Sequence, residues 1–250
     1  MKRFENQVAV ISGGADGLGK AIAQRIAFEG GKIVLLDVNK AQLDKTVCEF
    51  NNRGFITQGY DVDISSEEPV KTAIQNAVDM FGKIDVMVNS AGIVGPTNIK
   101  VTDYPVEKYD EIYRINLRGA FLMTRYTIKA MEKNNYGRIL LIASIAGKEG
   151  NPFMTGYSSM KAGVIGLVKG VGKEYAKTGI TVNGLAPALI KTELNKNTAA
   201  EQLNYMTAKI PMGRLGTVEE VASLSTWILS KEASFNTGFI FDISGGRATY

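Results

Sequence analysis

The 250-residue chain has no histidine, one cysteine, six prolines and one tryptophan. Without imidazole, a Ser-His-Asp relay and every histidine-bearing metal site are excluded. With Cys48 alone, no disulfide can form within the chain. Cys48 lies among Leu43, Val47 and Phe50, which read as a helix face, and is expected to be a small buried or half-buried filler. No apolar stretch approaches the roughly 20 residues of a membrane helix, and the opening Met-Lys-Arg precedes no apolar targeting region. A cytoplasmic protein without a membrane partner is expected. Charge is evenly spread: 29 Lys and Arg against 25 Asp and Glu give a net +4, with no basic run and no interleaved aromatics. No nucleic-acid partner is expected from this balance.

Apolar residues make up 45% of the chain, enough for a sizeable core. Short apolar runs at 8–11, 32–37, 55–60, 84–89, 138–143, 180–185 and 239–242 predict strands. Between them lie segments of helical period: Leu18, Ile22 and Ile26, then 41–52, 65–81, 107–133, 157–177 and 218–229. Continuous hydrophobic strands alternating with helices predict an α/β fold with a doubly wound parallel sheet of Rossmann type, covered by helices on both faces. No linker or internal repeat interrupts 1–250, so one domain is predicted. The stretch 188–216 breaks the rhythm, with a short helix predicted at 199–209. It reads as a substrate lid or as a plain surface excursion.

Three features carry chemistry. First, Ser12-Gly13-Gly14-Ala15-Asp16-Gly17-Leu18-Gly19 joins the first strand to the first helix. Glycines there permit a tight turn, and the helix N-terminus presents free N–H groups to a pyrophosphate. Second, Asp37 ends the next strand, where a carboxylate binds both ribose hydroxyls and repels a 2′-phosphate. Asp16 adds a second negative charge, so NAD is expected over NADP, although Lys40 lies close enough to reach a 2′-phosphate. Third, Tyr157 and Lys161 are four residues apart, hence on one helix face. An ammonium beside a phenol favours the phenolate and lowers a reference pKa of about 10. Such a tyrosine can exchange a proton with an alcohol or carbonyl oxygen. The spacing alone also describes an ordinary surface cation beside a half-buried tyrosine.

Taken together, these residues resemble the short-chain dehydrogenase/reductase family along nearly the whole chain. Ser12 to Gly19 matches its glycine turn, with Ser in place of Thr. Asp61-Val62 matches its adenine-contacting pair, and Asn89-Ser90-Ala91-Gly92 its segment after the fourth strand. Asn116, Ser144 and the Tyr157/Lys161 pair match its catalytic residues. Pro187 to Thr192 matches its Pro-Gly segment, with Ala188 replacing the usual Gly. The resemblance implies that Tyr157 is the general acid or base, that Lys161 supports its phenolate and binds the nicotinamide ribose, and that Ser144 donates to the substrate oxygen. It implies that Asn116 holds a relay water. The implied cofactor contacts are Gly13, Ala15, Asp16, Gly17, Leu18, Gly19, Asp37, Asp61, Val62, Asn89, Ala91, Gly92, Tyr157, Lys161, Pro187, Ile190 and Thr192. No metal is implied.

By analogy the substrate meets Ser144, Val94, Asn151 and Tyr157. Lys148, Glu149 and Asn151 either suit a hydroxylated or anionic molecule or are ordinary loop polar residues facing water; on the first reading a polyol, sugar or sugar acid is expected. The alternatives are a 3-oxoacyl-(acyl-carrier-protein) reductase and, in another class, a non-catalytic dinucleotide sensor. A homotetramer is implied, paired through the helices at 107–133 and 157–177 and the last helix and strand. Val164, Leu167, Val168 and Val171 form an apolar stripe suited to that contact. The tail at 244–250 is expected to reach a neighbouring subunit, with Arg247 or the terminal carboxylate approaching the partner's pocket.

Overall fold

The structure, a computed structural model, describes residues 2–192, 203, 206–248 and 250. Among them seven strands form one sheet: β1 (Val8–Ser12), β2 (Lys32–Asp37), β3 (Thr57–Asp61), β4 (Val86–Asn89), β5 (Gly137–Ile142), β6 (Ile180–Pro187) and β7 (Ile240–Ile243). Every neighbouring pair is parallel, in the order β3-β2-β1-β4-β5-β6-β7. The winding direction reverses between β1 and β4. In open α/β sheets the crevice for ligands lies at that reversal, beyond the carboxyl ends of the strands.

The helices are α1 (Gly17–Phe28), α2 (Lys40–Asn52), α3 (Glu67–Phe81), α4 (Val106–Ile112), α5 (Gly119–Met131), α6 (Ile145–Glu149), α7 (Thr155–Glu174) and α8 (Val218–Ile228). The sheet is buried on both faces, which is why its strands read as unbroken apolar runs. Val8, Val10, Met87 and Leu141 turn toward α3, α5 and α7, whereas Ala9, Ile11, Val88 and Leu140 turn toward α1 and α8. Near the start of the chain, Arg3 and Arg25 both pair with the buried Glu29, at 2.5 and 2.6 Å.

Three expectations are corrected. The predicted helix at 107–133 is interrupted by a π-helical segment, Tyr113–Arg118, between α4 and α5. Hydropathy cannot register this, because one extra residue in a turn leaves the apolar period nearly unchanged. Cys48 is exposed, since the turn of α2 buries Leu43, Thr46 and Phe50 instead. Val164 and Val168 face the chain's own sheet, and Leu167 and Val171 pack against the same cluster. The outer face of α7 instead shows Ala162, Gly166 and Gly170. Of the helix predicted at 199–209, residues 199–202, 204 and 205 lie outside the described residues, while 203 and 206–208 are helical.

Candidate active site

The glycine turn leads from the end of β1 into α1. Gly13 has φ +62°, and a Cβ there would sit 2.7 Å from the Ala91 nitrogen; one on Gly19 would sit 2.1 Å from the Gly13 carbonyl oxygen. Both positions therefore require glycine. Gly17, at φ +57°, has open space where a side chain would stand, and the Asp16 carboxylate caps α1 by accepting the Gly17 N–H at 2.8 Å. Leu18 packs against the core beneath α1. The turn is braced from below: the Ser12 hydroxyl donates to Asn89 Oδ1 at 2.8 Å and accepts the Ala91 N–H at 3.4 Å.

Asp37 closes the turn from the side. Its Oδ2 accepts the Ala15 N–H at 3.1 Å and its Oδ1 the Asn39 N–H at 3.0 Å. The Thr46 hydroxyl donates to the Ala15 carbonyl at 2.7 Å. Asp61 lies opposite Asp37 in the β2–β3 register, and the buried Val62 donates its N–H to the Asp37 carbonyl at 3.0 Å. Lys40 turns away to Asp44 at 2.7 Å. These residues fit a dinucleotide: a close-approach glycine cradle, a helix N-terminus and an acidic strand end at the switch point.

On the other side, Ser144 follows β5 and caps the short helix α6, accepting the Ala146 N–H at 3.1 Å. Tyr157 and Lys161 lie on the first turns of α7. The Ser144 hydroxyl lies beside the Tyr157 phenol and favours its ionised form. Lys161 Nζ lies 5.7 Å from the Tyr157 ring centroid and donates to the Ile142 carbonyl at 2.7 Å. Burial lowers Lys161 to about 8. Burial also raises Tyr157 above the ordinary phenol value, and the Ser144 hydroxyl opposes that only partly. This corrects the expectation that the ammonium depresses the phenol: desolvation outweighs it, because the ammonium bonds a carbonyl instead of the phenol.

Asn116, buried within the π segment, uses both side-chain groups on Ile93: its Oδ1 accepts the Ile93 N–H and its Nδ2 donates to the Ile93 carbonyl, each at 2.8 Å. A Cβ on Gly92 would lie 3.1 Å from Asn116 Oδ1 and 3.7 Å from Lys161 Nζ, so these three residues converge. Val94, half-buried, follows in the same segment. Gly147 was not anticipated: a Cβ there would meet the Lys161 carbonyl carbon at 2.6 Å, so its absence lets α6 lie on α7. Ser158 and Thr46 were also missed, since single hydroxyls carry no periodic signal.

Around the opening, Pro187 ends β6 and Ala188 donates its N–H to the Ile243 carbonyl at 3.0 Å. That extended path needs no glycine. Ile190 is buried and bridges Gly216 in parallel. Thr192 lines a cleft of about 700 Å³ with Asp16, Gly17 and Lys20. Of the stretch 188–216, residues 193–202, 204 and 205 lie outside the described residues. Two further expectations are corrected here. Lys148 and Glu149 are engaged by Asp242 and Arg247, not free to meet a substrate. Arg247 reaches Glu149 and Asn151 of its own chain, because the tail folds back over α6.

A dinucleotide cradle and a Ser-Tyr-Lys group facing one switch point define a nicotinamide-dependent oxidoreductase scaffold. The family model described as enoyl-(acyl carrier protein) reductase matches residues 13–248. The chain is 42% identical to the 2-dehydro-3-deoxy-L-rhamnonate dehydrogenase (NAD(+)) of Sphingomonas sp. (strain SKA58), over 99% of this chain and 98% of that one. It is 34% identical to a 3-oxoacyl-(acyl-carrier-protein) reductase of Thermotoga maritima, over 98% of each. The crystal structure of NAD+-bound xylitol dehydrogenase superposes with a TM-score of 0.93 at 31% identity, covering 98% of this chain and 100% of that one. The chain belongs to the short-chain dehydrogenase/reductase family, whose members act on CH–OH groups with a nicotinamide cofactor.

Proposed function

We propose that this protein is an NAD(H)-dependent dehydrogenase that interconverts a secondary alcohol and a ketone on a hydroxylated sugar acid or polyol. The observation that carries the reading is Ser144 beside the Tyr157 phenol with the Lys161 ammonium 5.7 Å from its ring, at the mouth of a cradle closed by Asp37. The 42% identity to a sugar-acid dehydrogenase named for NAD and the likeness to a xylitol dehydrogenase support it.

Bound nicotinamide would accept or supply the hydride. Gly13, Ala15, Asp16, Gly17, Leu18 and Gly19 would hold the pyrophosphate end, and Asp37 the adenosine ribose. Asp61 and Val62 would border the adenine. Asn89, Ala91, Gly92, Pro187, Ile190 and Thr192 would line the nicotinamide side. Within that frame Ser144 donates to the substrate oxygen while charge shifts there. Tyr157 takes the alcohol proton in oxidation and returns it in reduction. Lys161 would hold the nicotinamide ribose. Asn116 fixes the Ile93 main chain, which keeps Gly92 and Val94 in place under the substrate. Val94 and Asn151 border the remainder of the substrate.

The 3-oxoacyl-(acyl-carrier-protein) reductase reading draws on the Thermotoga relative. A sensor without turnover is disfavoured by the complete Ser-Tyr-Lys group. A panel of 2-dehydro-3-deoxy-L-rhamnonate, aldonates, alditols and a β-ketoacyl thioester, each with NAD(H) and NADP(H), separates the three. Highest kcat/KM on a sugar acid or polyol with NAD is expected. Preference for the thioester with NADPH would favour the reductase, and no turnover of any substrate the sensor. A cytoplasmic location and a homotetramer complete the reading, the assembly supported by the exposed Val106, Tyr109, Tyr113 and Phe121 along α4, the π segment and α5.

A further inference from the structure

Residues 150–154 link α6 to α7, carry Asn151 and lead into Tyr157. This loop is clasped by the C-terminal tail. Lys148 Nζ bonds Asp242 Oδ2 at 2.8 Å and also meets the main-chain oxygen of Tyr250, whose hydroxyl donates back to the Lys148 carbonyl at 2.8 Å. Arg247 donates through Nε and Nη2 to one carboxylate oxygen of Glu149, at 3.0 and 2.7 Å, and through Nη2 to Asn151 Oδ1 at 3.0 Å. The side chains of Lys148 and Arg247 are only 9% and 13% exposed. Each cation has an acidic partner, so the clasp leaves no spare charge for a substrate carboxylate.

What the clasp does fix is the Asn151 amide. A guanidinium only donates, so the amide oxygen must face Arg247. The amide nitrogen is left with the Met154 sulfur at 3.9 Å, a weak acceptor. The Asn151 main-chain N–H donates to Ser158 Oγ at 3.0 Å, one residue beyond Tyr157.

We propose that Arg247 is a positioning residue: it orients Asn151 so that the side-chain N–H2 group meets an acceptor oxygen of the substrate away from the reacting carbon. The proposal rests on the sugar-acid and polyol reading above and deepens it, since such substrates carry hydroxyl or carboxylate oxygens along their chain. Without Arg247 the amide is free to turn over and offer its oxygen instead.

Two measurements on the full chain with bound NADH test this. In amide hydrogen exchange, Arg247→Ala should speed exchange across 148–154 at least tenfold and leave α1 to α3 unchanged. Arg247→Lys keeps a cation for Glu149 but lacks the planar fork, and should fall between. In steady-state kinetics, the probes are the sugar acid of the panel with the highest kcat/KM and the alditol of the same skeleton. Arg247→Ala and Asn151→Asp should each raise KM tenfold or more with kcat within about threefold and NADH affinity unchanged. Wild-type exchange in 148–154 of Arg247→Ala would overturn the clasp, and an unchanged KM in Asn151→Asp would overturn the donor role. If no panel member is turned over, the functional reading fails, and the exchange result still decides whether Arg247 holds the loop.

Discussion

Tyr157→Phe deletes one oxygen and leaves the ring in place. We expect kcat to fall by about 10²–10⁴-fold, the range of a lost acid–base group, with NADH affinity nearly intact by fluorescence titration. Retained turnover would remove Tyr157 from the chemistry. Lys161 offers a test in the absence of substrate. It titrates near 8 in the fold against 10.5 for the free side chain. Between those values the unfolded chain holds the extra proton, so raising pH favours the fold and stability climbs across that window. At neutral pH the buried charge costs about 3 kcal/mol by this measure, partly offset by its bond to the Ile142 carbonyl. Lys161→Met should therefore raise the apo Tm at pH 7 by several degrees, abolish the climb between pH 8 and 10.5, and end activity. A lower Tm for that variant would contradict the burial argument. Asp37→Ala should weaken NAD binding and bring NADP within about tenfold of it, read from the two Kd values; a wild type already preferring NADP would void the charge argument.

At the scale of elements, the close contact of α6 with α7 sets the Ser144–Tyr157 distance. Gly147→Val places branched carbon against the Lys161 main chain. The expected result is a kcat loss of at least tenfold with NADH affinity kept, since the cradle lies across the switch point. Equal kinetics would mean the two helices separate freely. These elements differ in how far the amino-acid sequence disclosed them. Buried parallel strands have nowhere polar to turn, so 32–37 and 138–143 announced β2 and β5 within a residue. The glycine turn, Asp37 and the Tyr157/Lys161 spacing were equally plain, because each is local. The π segment around Asn116, the exposure of Cys48 and the inward turn of Val164 and Val168 were not, because a helix's rotation about its axis depends on what it packs against. The phenol's upward shift escaped for the same reason: charge spacing is visible in a chain, whereas depth beneath the surface is not. The tail's true partners, Glu149 and Asn151, are about 100 positions away and no local pattern joins them.

For the molecule as a whole, acid sensitivity has an identifiable contributor. Burial would raise the Glu29 carboxyl, but hydrogen bonds and charge from Arg3 and Arg25 hold it below its ordinary value of 4.5. The resulting stability is present above that value and fades as pH falls through the lowered one. Glu29→Gln should cost roughly 3 kcal/mol at pH 7 by leaving Arg3 with only the more distant Glu232 at 3.8 Å, and should flatten the acid limb of a Tm-against-pH curve below pH 4.5. An unaltered acid limb would assign that sensitivity elsewhere. The switch point has a wider consequence. Asp37 and Asp61 stand at the ends of β2 and β3, Ser144 follows β5, Tyr157 and Lys161 lie on α7, and the Ser12–Asn89 bond is one of the polar links between the two sides. On this layout a change of redox currency requires no change in the residues that handle the proton. A chimera that takes residues 1–62 from an NADP-using relative should inherit that relative's coenzyme while keeping this chain's own alcohol.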